Sequence, residues 1–501
     1  MLAEAPLLAD AKQYPLSPGT RRFLDGAPHG HLIEGQVVAS VSGATLPILD
    51  PASGREFARI AAGGAEDVDR AVRSARRAFD DGRWRNLAPA DKEARLRRLS
   101  SLLEEHREVL MDLDVLEGGV IRGYSQFIVQ FGIDVTNYYA GWPTKLQGTM
   151  PASPPDLIVQ EVREPIGVCA SIIPWNGPSA APCGIVPALA CGNSVVLKPA
   201  EQTPLAASLV GQLCLQAGIP PGVVNIVHGL GEVAGAALVE HPMVDAISFT
   251  GSSETGKRIQ IAAAQRLKRV HMELGGKSPH IIFNDADLDK AAASAAGAVW
   301  GHSGQVCTAG SRVLVQRQIH DELVSRMIAS AQALKIGSGF DPSTQMGPLV
   351  SQEQLDRVSR YVAIGRKEGA QVVTGGARHG EVGYFHQPTI FAGVNNQMTI
   401  AREEIFGPVM SVIPFDDEDE AYAIANDTEF GLAAGVWTRD LARAHRASQR
   451  LRAGTVWVNT YQRVSPSVPY GGVKQSGYGR NLGAASLEDY TQIKSVWFNI
   501  G

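Results

Sequence analysis

Residues 165–285 repeat one phrase: a short apolar run, a turn containing Gly, Pro or Asn, and a longer helical run. The apolar runs are Val168 to Ile173, Ser194 to Leu197, Val223 to Val227 and Ala246 to Phe249. Each is apolar on both faces, as strands covered by helices on both sides must be, so the phrase predicts a doubly wound parallel sheet. Such a sheet binds ligands beyond the carboxyl ends of its strands, which directs attention to the residues after each run. These are Pro174-Trp175-Asn176-Gly177, Lys198-Pro199-Ala200-Glu201, His228-Gly229-Leu230-Gly231 and Thr250-Gly251-Ser252-Ser253-Glu254-Thr255-Gly256-Lys257. Gly251 and Gly256 bracket a helix start, where free backbone N–H groups and the Ser252 hydroxyl suit a phosphate. The Glu201 carboxylate suits the two hydroxyls of an adenosine ribose and repels a 2′-phosphate, which favours NAD; Lys198 beside it softens that repulsion and leaves NADP compatible. The competing reading makes Lys198 and Glu201 an exposed surface pair of little consequence.

A chain of 501 residues exceeds the reach of one hydrophobic core, so at least two domains are expected. Its net charge of −5 offers no basic face for nucleic acid and no polybasic membrane anchor, which leaves a small molecule as the expected partner. The cysteines are Cys169, Cys183, Cys191, Cys214 and Cys307, an odd number without a CxxC pair. That pattern argues against a disulfide scaffold. No secretory leader opens the chain and no run of about 18 apolar residues occurs, so a cytoplasmic protein is expected. No His, Cys or Asp grouping has metal-ligand spacing, and no catalytic metal is predicted. Before the sheet, Pro15, Pro18, Gly19, Gly26, Pro28 and Gly30 suggest a loosely ordered arm leading into a hairpin. Glu66 to Phe79 reads as a helix. A longer one opens at Pro89, with Leu96, Leu99, Leu103 and Leu110 as its buried stripe.

Chemistry concentrates in Gly301-His302-Ser303-Gly304-Gln305-Val306-Cys307-Thr308-Ala309-Gly310-Ser311-Arg312. Small residues and glycines around Cys307 leave its sulfur on backbone that a substrate approaches closely, unlike a packing cysteine inside an apolar run. Upstream, Glu273 follows a β-like run and precedes Gly275-Gly276. Asn176, Glu273 and Cys307 together supply an amide donor, a base and a thiol, the set that acyl chemistry through sulfur requires.

With these motifs the sequence resembles the aldehyde dehydrogenase superfamily, of the hydrolytic, non-phosphorylating type. The resemblance covers most of the chain. It is carried by Tyr138-Tyr139-Ala140-Gly141-Trp142, Pro174-Trp175-Asn176, Lys198-Pro199-Ala200-Glu201, Pro221-Gly222-Val223-Val224-Asn225, Phe249-Thr250-Gly251-Ser252, Glu273-Leu274-Gly275-Gly276-Lys277-Ser278, Gly304-Gln305-Val306-Cys307, Glu403-Glu404-Ile405-Phe406-Gly407-Pro408-Val409 and Pro469-Tyr470-Gly471-Gly472. The resemblance implies a dinucleotide-binding domain (1–142 and 165–274), a second α/β catalytic domain (275–475) and a small β oligomerisation arm (143–164 and 485–501). It implies Cys307 as nucleophile, Asn176 and the Cys307 N–H as oxyanion donors, and Glu273 as the base that hydrolyses a thioester. For the cofactor it implies Lys198 and Glu201 on the adenosine ribose, with Lys198 also counted in the catalytic set, Ser252, Gly251 and Gly256 near the pyrophosphate, Trp175 and Gly231 lining the site, and Glu404 with Phe406 at the nicotinamide end.

Departures from the family pattern bear on the substrate. Trp300-Gly301-His302-Ser303 and Leu116-Glu117-Gly118-Gly119 replace its usual segments. The helix expected after Asn176, Gly177-Pro178-Ser179-Ala180-Ala181-Pro182-Cys183-Gly184, is one residue short and carries small residues, which predicts a roomier entrance for a bulky or aromatic aldehyde. Arg463 in the loop 461–468 is either solvated or a partner for a substrate carboxylate, so semialdehyde acids stay open. His302 is either a structural or a catalytic histidine. Two further alternatives are an enzyme passing the acyl group to coenzyme A, against which Glu273 argues, and a binding protein on a dehydrogenase fold, against which the intact Asn176, Glu273, Cys307 and Glu404 argue. Finally, Lys494 to Ile500 is a β-rich edge with nothing sequential left to pair with; with residues 143–164 it is expected to extend a neighbouring subunit's sheet in a homodimer or homotetramer.

Overall fold

The computed structural model describes residues 14–25 and 29–501, and their strands form two large sheets and two small ones. In the first large sheet the order is Gly477–Tyr478, Arg269–Glu273, Ala246–Thr250, Val168–Ile172, Ser194–Lys198, Val224–Ile226, His31–Ile33 and Gln36–Val38. The strands from 168 to 273 pair in parallel, and the outer three pair antiparallel. Each predicted apolar run is therefore a strand, and burial on both faces explains why none alternates: Ser194–Lys198 is buried at every residue. The second large sheet runs Gln371–Thr374, Thr389–Ala392, Val409–Phe415, Arg312–Gln316, Pro279–Ile282, Ala433–Trp437 and Thr455–Val458, parallel except at its first pair. The chain crosses from one sheet to the other in residues 274–278, directly after Glu273. It then returns at Gly477, which pairs with Glu273 itself.

Three sequence expectations need correction. Pro18–Asp25 is a helix rather than a loose arm, held by the Asp112 carboxylate, which accepts from the Ser17 N–H at 2.8 Å and the Thr20 hydroxyl at 2.7 Å; Gly26 and Pro28 lie outside the described residues. The stripe from Leu96 to Leu110 spans two helices, Pro89–Glu105 and Arg107–Gly118. At their junction the His106 ring Nδ1 sits 2.9 Å from the Leu102 carbonyl, adding a local side-chain bond where the regular backbone ladder breaks. The tail does have an intramolecular partner. Thr491–Asn499 pairs antiparallel with Leu157–Pro165 over its whole length, a pairing too distant in sequence to be read from spacing.

The carboxyl-terminal segment docks on the first sheet's helices through buried polar bonds: the Tyr139 hydroxyl donates to the Gly483 carbonyl at 2.9 Å, and the Asn193 amide donates to the Tyr490 carbonyl at 2.9 Å. Trp84 is the bulkiest fully buried side chain, and its indole N–H donates to the Leu189 carbonyl at 2.9 Å. Removing it leaves both a cavity and an unpaired carbonyl. Trp84→Ala is expected to cost about 3–5 kcal/mol, visible as an earlier first transition in urea unfolding followed by tryptophan fluorescence.

Candidate functional site

The carboxyl ends of the first sheet meet loops that enter the strands of the second. From the first sheet come Trp175 and Asn176, which follow Val168–Ile172, and Glu273, the last residue of its strand. From the second come the loop carrying Cys307, which precedes Arg312–Gln316, and Glu404–Phe406, which precedes Val409–Phe415. Contacts close the seam. The Asn176 amide donates to the Gln305 carbonyl at 2.9 Å, Trp175 packs edge-on against Phe406 at 5.2 Å between centroids, and the Gly276 N–H donates to the Glu404 carboxylate at 3.0 Å. The seam thus places Asn176 against the Cys307 loop, with Glu273 near enough for its charge to act on the thiol.

The cysteine loop is a built structure. Gln305 is fully buried; its side-chain oxygen accepts from the Val350 N–H at 2.9 Å, and the Ser303 hydroxyl donates to the Gly347 carbonyl at 2.7 Å. Gly304 takes φ +73°, and a Cβ there would stand 1.9 Å from the Gly407 carbonyl oxygen, so only glycine lets the two loops touch. Gly276 is similarly pressed on the Cys307 carbonyl. Phe406 itself sits at φ +59°, a strained conformation for a bulky residue. Gln354 and Arg357 hold it there by donating to the carbonyls of Glu404, Ile405 and Phe406.

Burial dominates the electrostatics. It pushes the Cys307 thiol up to about 11, opposed by a contact of 3.4 Å with the Tyr470 hydroxyl and aided by the negative charges of Glu404 and Glu273. Burial also raises the Glu273 carboxyl, whose Oε1 lies 3.2 Å from His271 Nε2 while its Oε2 has no protein partner. Glu404 is pushed up to about 7, and buried Lys277 is brought down to about 7 with its amine unpartnered. Burial brings the His302 pKa down to about 4, and its ring stacks on Tyr124 at 4.9 Å.

The expected cofactor residues lie along the first sheet's strand ends. Lys198 is only 2% exposed, and its amine donates to the Glu201 carboxylate at 3.0 Å and the Pro199 carbonyl at 2.9 Å, so this is no surface pair. Ser252 caps the helix Ser253–Ala264 by accepting from the Thr255 N–H. One expectation changes here: the N–H groups of Gly251 and Gly256 are already spent, on the Glu273 and Ser252 carbonyls. Their glycine character serves packing instead, against the Phe249 ring and Leu274. The first-turn N–H groups of Ser253 and Glu254, which a helix leaves without internal partners, are the donors that remain for an anion. A Cβ at Gly231 would meet nothing within 4 Å, leaving open space at that strand end. A buried cation beside a carboxylate, an anion-ready helix start and an aromatic pair fit a dinucleotide.

Beside Cys307 lies a cavity of about 410 Å³, lined among others by Tyr124, Phe127, Phe131, Val135, Val464 and Tyr470, and by no charged residue. The segment after Asn176 contributes Cys183. It is a 3₁₀ turn, Pro178–Gly184, followed by a short helix, Val186–Ala190, instead of the helix expected, because Pro182 removes a donor from its middle. Arg463 does not line this cavity but an adjoining recess with Asn459 and Thr460, the two sharing Gln462. The sequence assigns no role to Tyr470, which stands inside a quoted motif, or to His271, two residues before another; neither residue type carries a spacing signal.

The architecture defines a class, a dinucleotide-type parallel sheet joined to a second α/β unit that delivers a thiol to the seam. The model of the aldehyde dehydrogenase family matches residues 37–496, and the chain belongs to that family. It is 45% identical over 469 residues to the mitochondrial benzaldehyde dehydrogenase of Antirrhinum majus, covering 93% of this chain and 88% of that protein. Among solved structures it resembles the NAD+ complex of the aldehyde dehydrogenase from Bacillus cereus (TM-score 0.96, 43% identity, 97% and 100% of the two chains). It also resembles the P. syringae indole-3-acetaldehyde dehydrogenase AldA in complex with NAD+ and IAA (TM-score 0.93, 44% identity, 96% and 98%). The protein is an NAD(P)-dependent aldehyde dehydrogenase.

Of the five thiols, burial pushes those of Cys183, Cys191 and Cys214 to about 12 and Cys169 higher still, against about 11 for Cys307. A raised pKa favours the neutral thiol, so thiolate grows as pH rises toward that value. Iodoacetamide is expected to label Cys307 first, at a rate rising about tenfold per pH unit between pH 7 and 10, measured by peptide mass spectrometry.

Proposed function

We propose that the protein oxidises a bulky, apolar, aromatic-type aldehyde to its carboxylic acid through a thioester on Cys307. The reading rests on one arrangement: Cys307, Asn176 and Glu273 meet beside a cavity of aromatic and aliphatic side chains without charge. That lining favours a benzaldehyde- or indole-sized substrate, like those in the names of two relatives, and its lack of a charged residue counts against semialdehyde acids.

In this reading the Cys307 thiolate attacks the aldehyde carbon. The oxyanion is held by the Asn176 amide, one of whose two protons is already aimed by the Gln305 carbonyl, and by the Cys307 N–H. Lys198 and Glu201 would hold the adenosine ribose, Ser252 and the following first-turn N–H groups the pyrophosphate, and Glu404 and Phe406 the nicotinamide end, with Trp175 and Gly231 lining the site. When bound, NAD supplies the hydride acceptor; NADP is the less favoured alternative. Glu273 then takes a proton from the water that hydrolyses the thioester. Its unpartnered Oε2 is the oxygen free for that task, and its raised pKa makes it a better base than an exposed glutamate. A base so placed makes water the acyl acceptor in preference to coenzyme A.

The same reading keeps the three-part division at 1–142 with 165–274, 275–475, and 143–164 with 485–501. Among the described residues no helix is long and apolar enough to cross a membrane. We assign the protein to the cytoplasm on its five free cysteines. Ile493, Trp497 and Phe498 leave 62%, 63% and 46% of their surfaces exposed on the strand Thr491–Asn499, which supports a homodimer or homotetramer built through that edge.

NADH formation at 340 nm is expected to rise in efficiency from acetaldehyde to benzaldehyde-sized substrates and to vanish in Cys307→Ala. Activity retained in that variant would overturn the reading. Glu273→Gln is expected to keep a first-turnover burst of NADH while steady turnover falls about 100-fold or more, the usual weight of a general base. Sedimentation of wild type is expected to give a dimer or tetramer, and Trp497→Asp with Phe498→Asp a smaller species.

A further inference from the structure

We propose that Tyr470 is a catalytic residue, its phenol donating a hydrogen bond to the Cys307 sulfur whenever that sulfur carries negative charge. This rests on Cys307 being the nucleophile.

The Tyr470 hydroxyl lies 3.4 Å from Cys307 Sγ, within the reach of an O–H···S bond, and Tyr470 lines the cavity beside Cys307. Its position is imposed by backbone. Tyr470 and Asn481 exchange two hydrogen bonds, N–H to carbonyl in each direction at 2.7 Å, and Gly471 after it is packed on the Glu273 carboxylate. The Cys307 sulfur is the hydrogen-bond partner that the structure gives the phenol. Burial, together with the charges of Cys307 and Glu273, keeps that proton on Tyr470 far above neutral pH, so the group is a permanent donor. Burial and two neighbouring carboxylates penalise the charged nucleophile, and the phenol is the larger of its two counterweights, ahead of the Thr308 backbone.

Sulfur is anionic twice in the cycle. It is a thiolate before it forms the C–S bond with the aldehyde carbon, and again when the hydrated thioester collapses, the C–S bond breaks and its electron pair returns to sulfur. Between these points, as thiohemiacetal and thioester, sulfur is neutral and the phenol has nothing to stabilise. Tyr470 therefore serves attack and expulsion and leaves hydride transfer untouched. A residue that merely lined the cavity would alter substrate affinity and leave the thiol alone.

The test uses the full-length protein without cofactor or aldehyde, as wild type, Tyr470→Phe and Cys307→Ser. Iodoacetamide labelling of Cys307 is followed by mass spectrometry from pH 7 to 10.5. Losing a hydrogen bond to a charged sulfur is expected to slow labelling about tenfold in Tyr470→Phe, an upward shift of the thiol by about one pH unit. Aldehyde oxidation is expected to fall by a similar factor without a change in the NAD KM. Replacing Tyr470 alone by 3-fluorotyrosine, a stronger donor, is expected to speed labelling, and this arm stands even if the phenylalanine variant fails to fold. Labelling of Tyr470→Phe at the wild-type rate across the pH range, or slower labelling with 3-fluorotyrosine, would overturn the proposal while leaving aldehyde oxidation through Cys307 intact. Conversely, Cys307→Ser that still oxidised aldehydes would overturn the parent reading instead.

Discussion

Two mainly parallel sheets in one chain meet at a single seam, and the hydrogen bonds across that seam are what the rest of the molecule depends on. The first sheet presents its carboxyl ends, the second the loops that enter its strands. Asn176 to Gln305, Gly276 to Glu404 and Trp175 against Phe406 couple the two. Backbone approaches this close tolerate no Cβ, which is why Gly276 stands against the Cys307 carbonyl and, within the second unit, Gly304 against Gly407. Without the seam, Cys307 would be one more thiol in a small-residue loop.

The cost of the seam is desolvation. It pushes the thiol of Cys307 and the carboxyls of Glu273 and Glu404 toward their neutral forms, and Lys277 toward its free amine. A site of this kind spends little on holding charge in the resting state and most on receiving charge when it develops, which is the logic of preorganised donors. Asn176, already aimed by a carbonyl, and Tyr470, already turned toward sulfur, are such donors. His271 against Glu273 orients the carboxylate that acts.

The strands of the first sheet were legible because burial on both faces writes them as unbroken apolar runs between turn residues, from Val168 to Thr250. Asn176, Lys198, Glu201 and Glu273 were legible for the same reason, since each lies at or just past a strand end. Cys307 was found through the small residues around it and Glu404 through the family motif, neither through the strand-end rule, because they precede their strands. The amino-terminal helix Pro18–Asp25 escaped notice because its prolines and glycines dominate the local signal, while the bonds that hold it come from Asp112, far along the chain.

By itself the sequence determined the parallel-sheet class, the family, and the residue types that chemistry requires, because these depend on local apolar patterning and on motifs of contiguous residues. Only the tertiary structure decided which side chains touch: the pairing of Thr491–Asn499 with Leu157–Pro165, the spent N–H groups of Gly251 and Gly256, the burial of Lys198, and the phenol of Tyr470 on the Cys307 sulfur. Each joins segments whose separation along the chain carries no periodic signal. Contact between them, and the burial that sets their proton affinities, exists only once the two sheets have closed on each other.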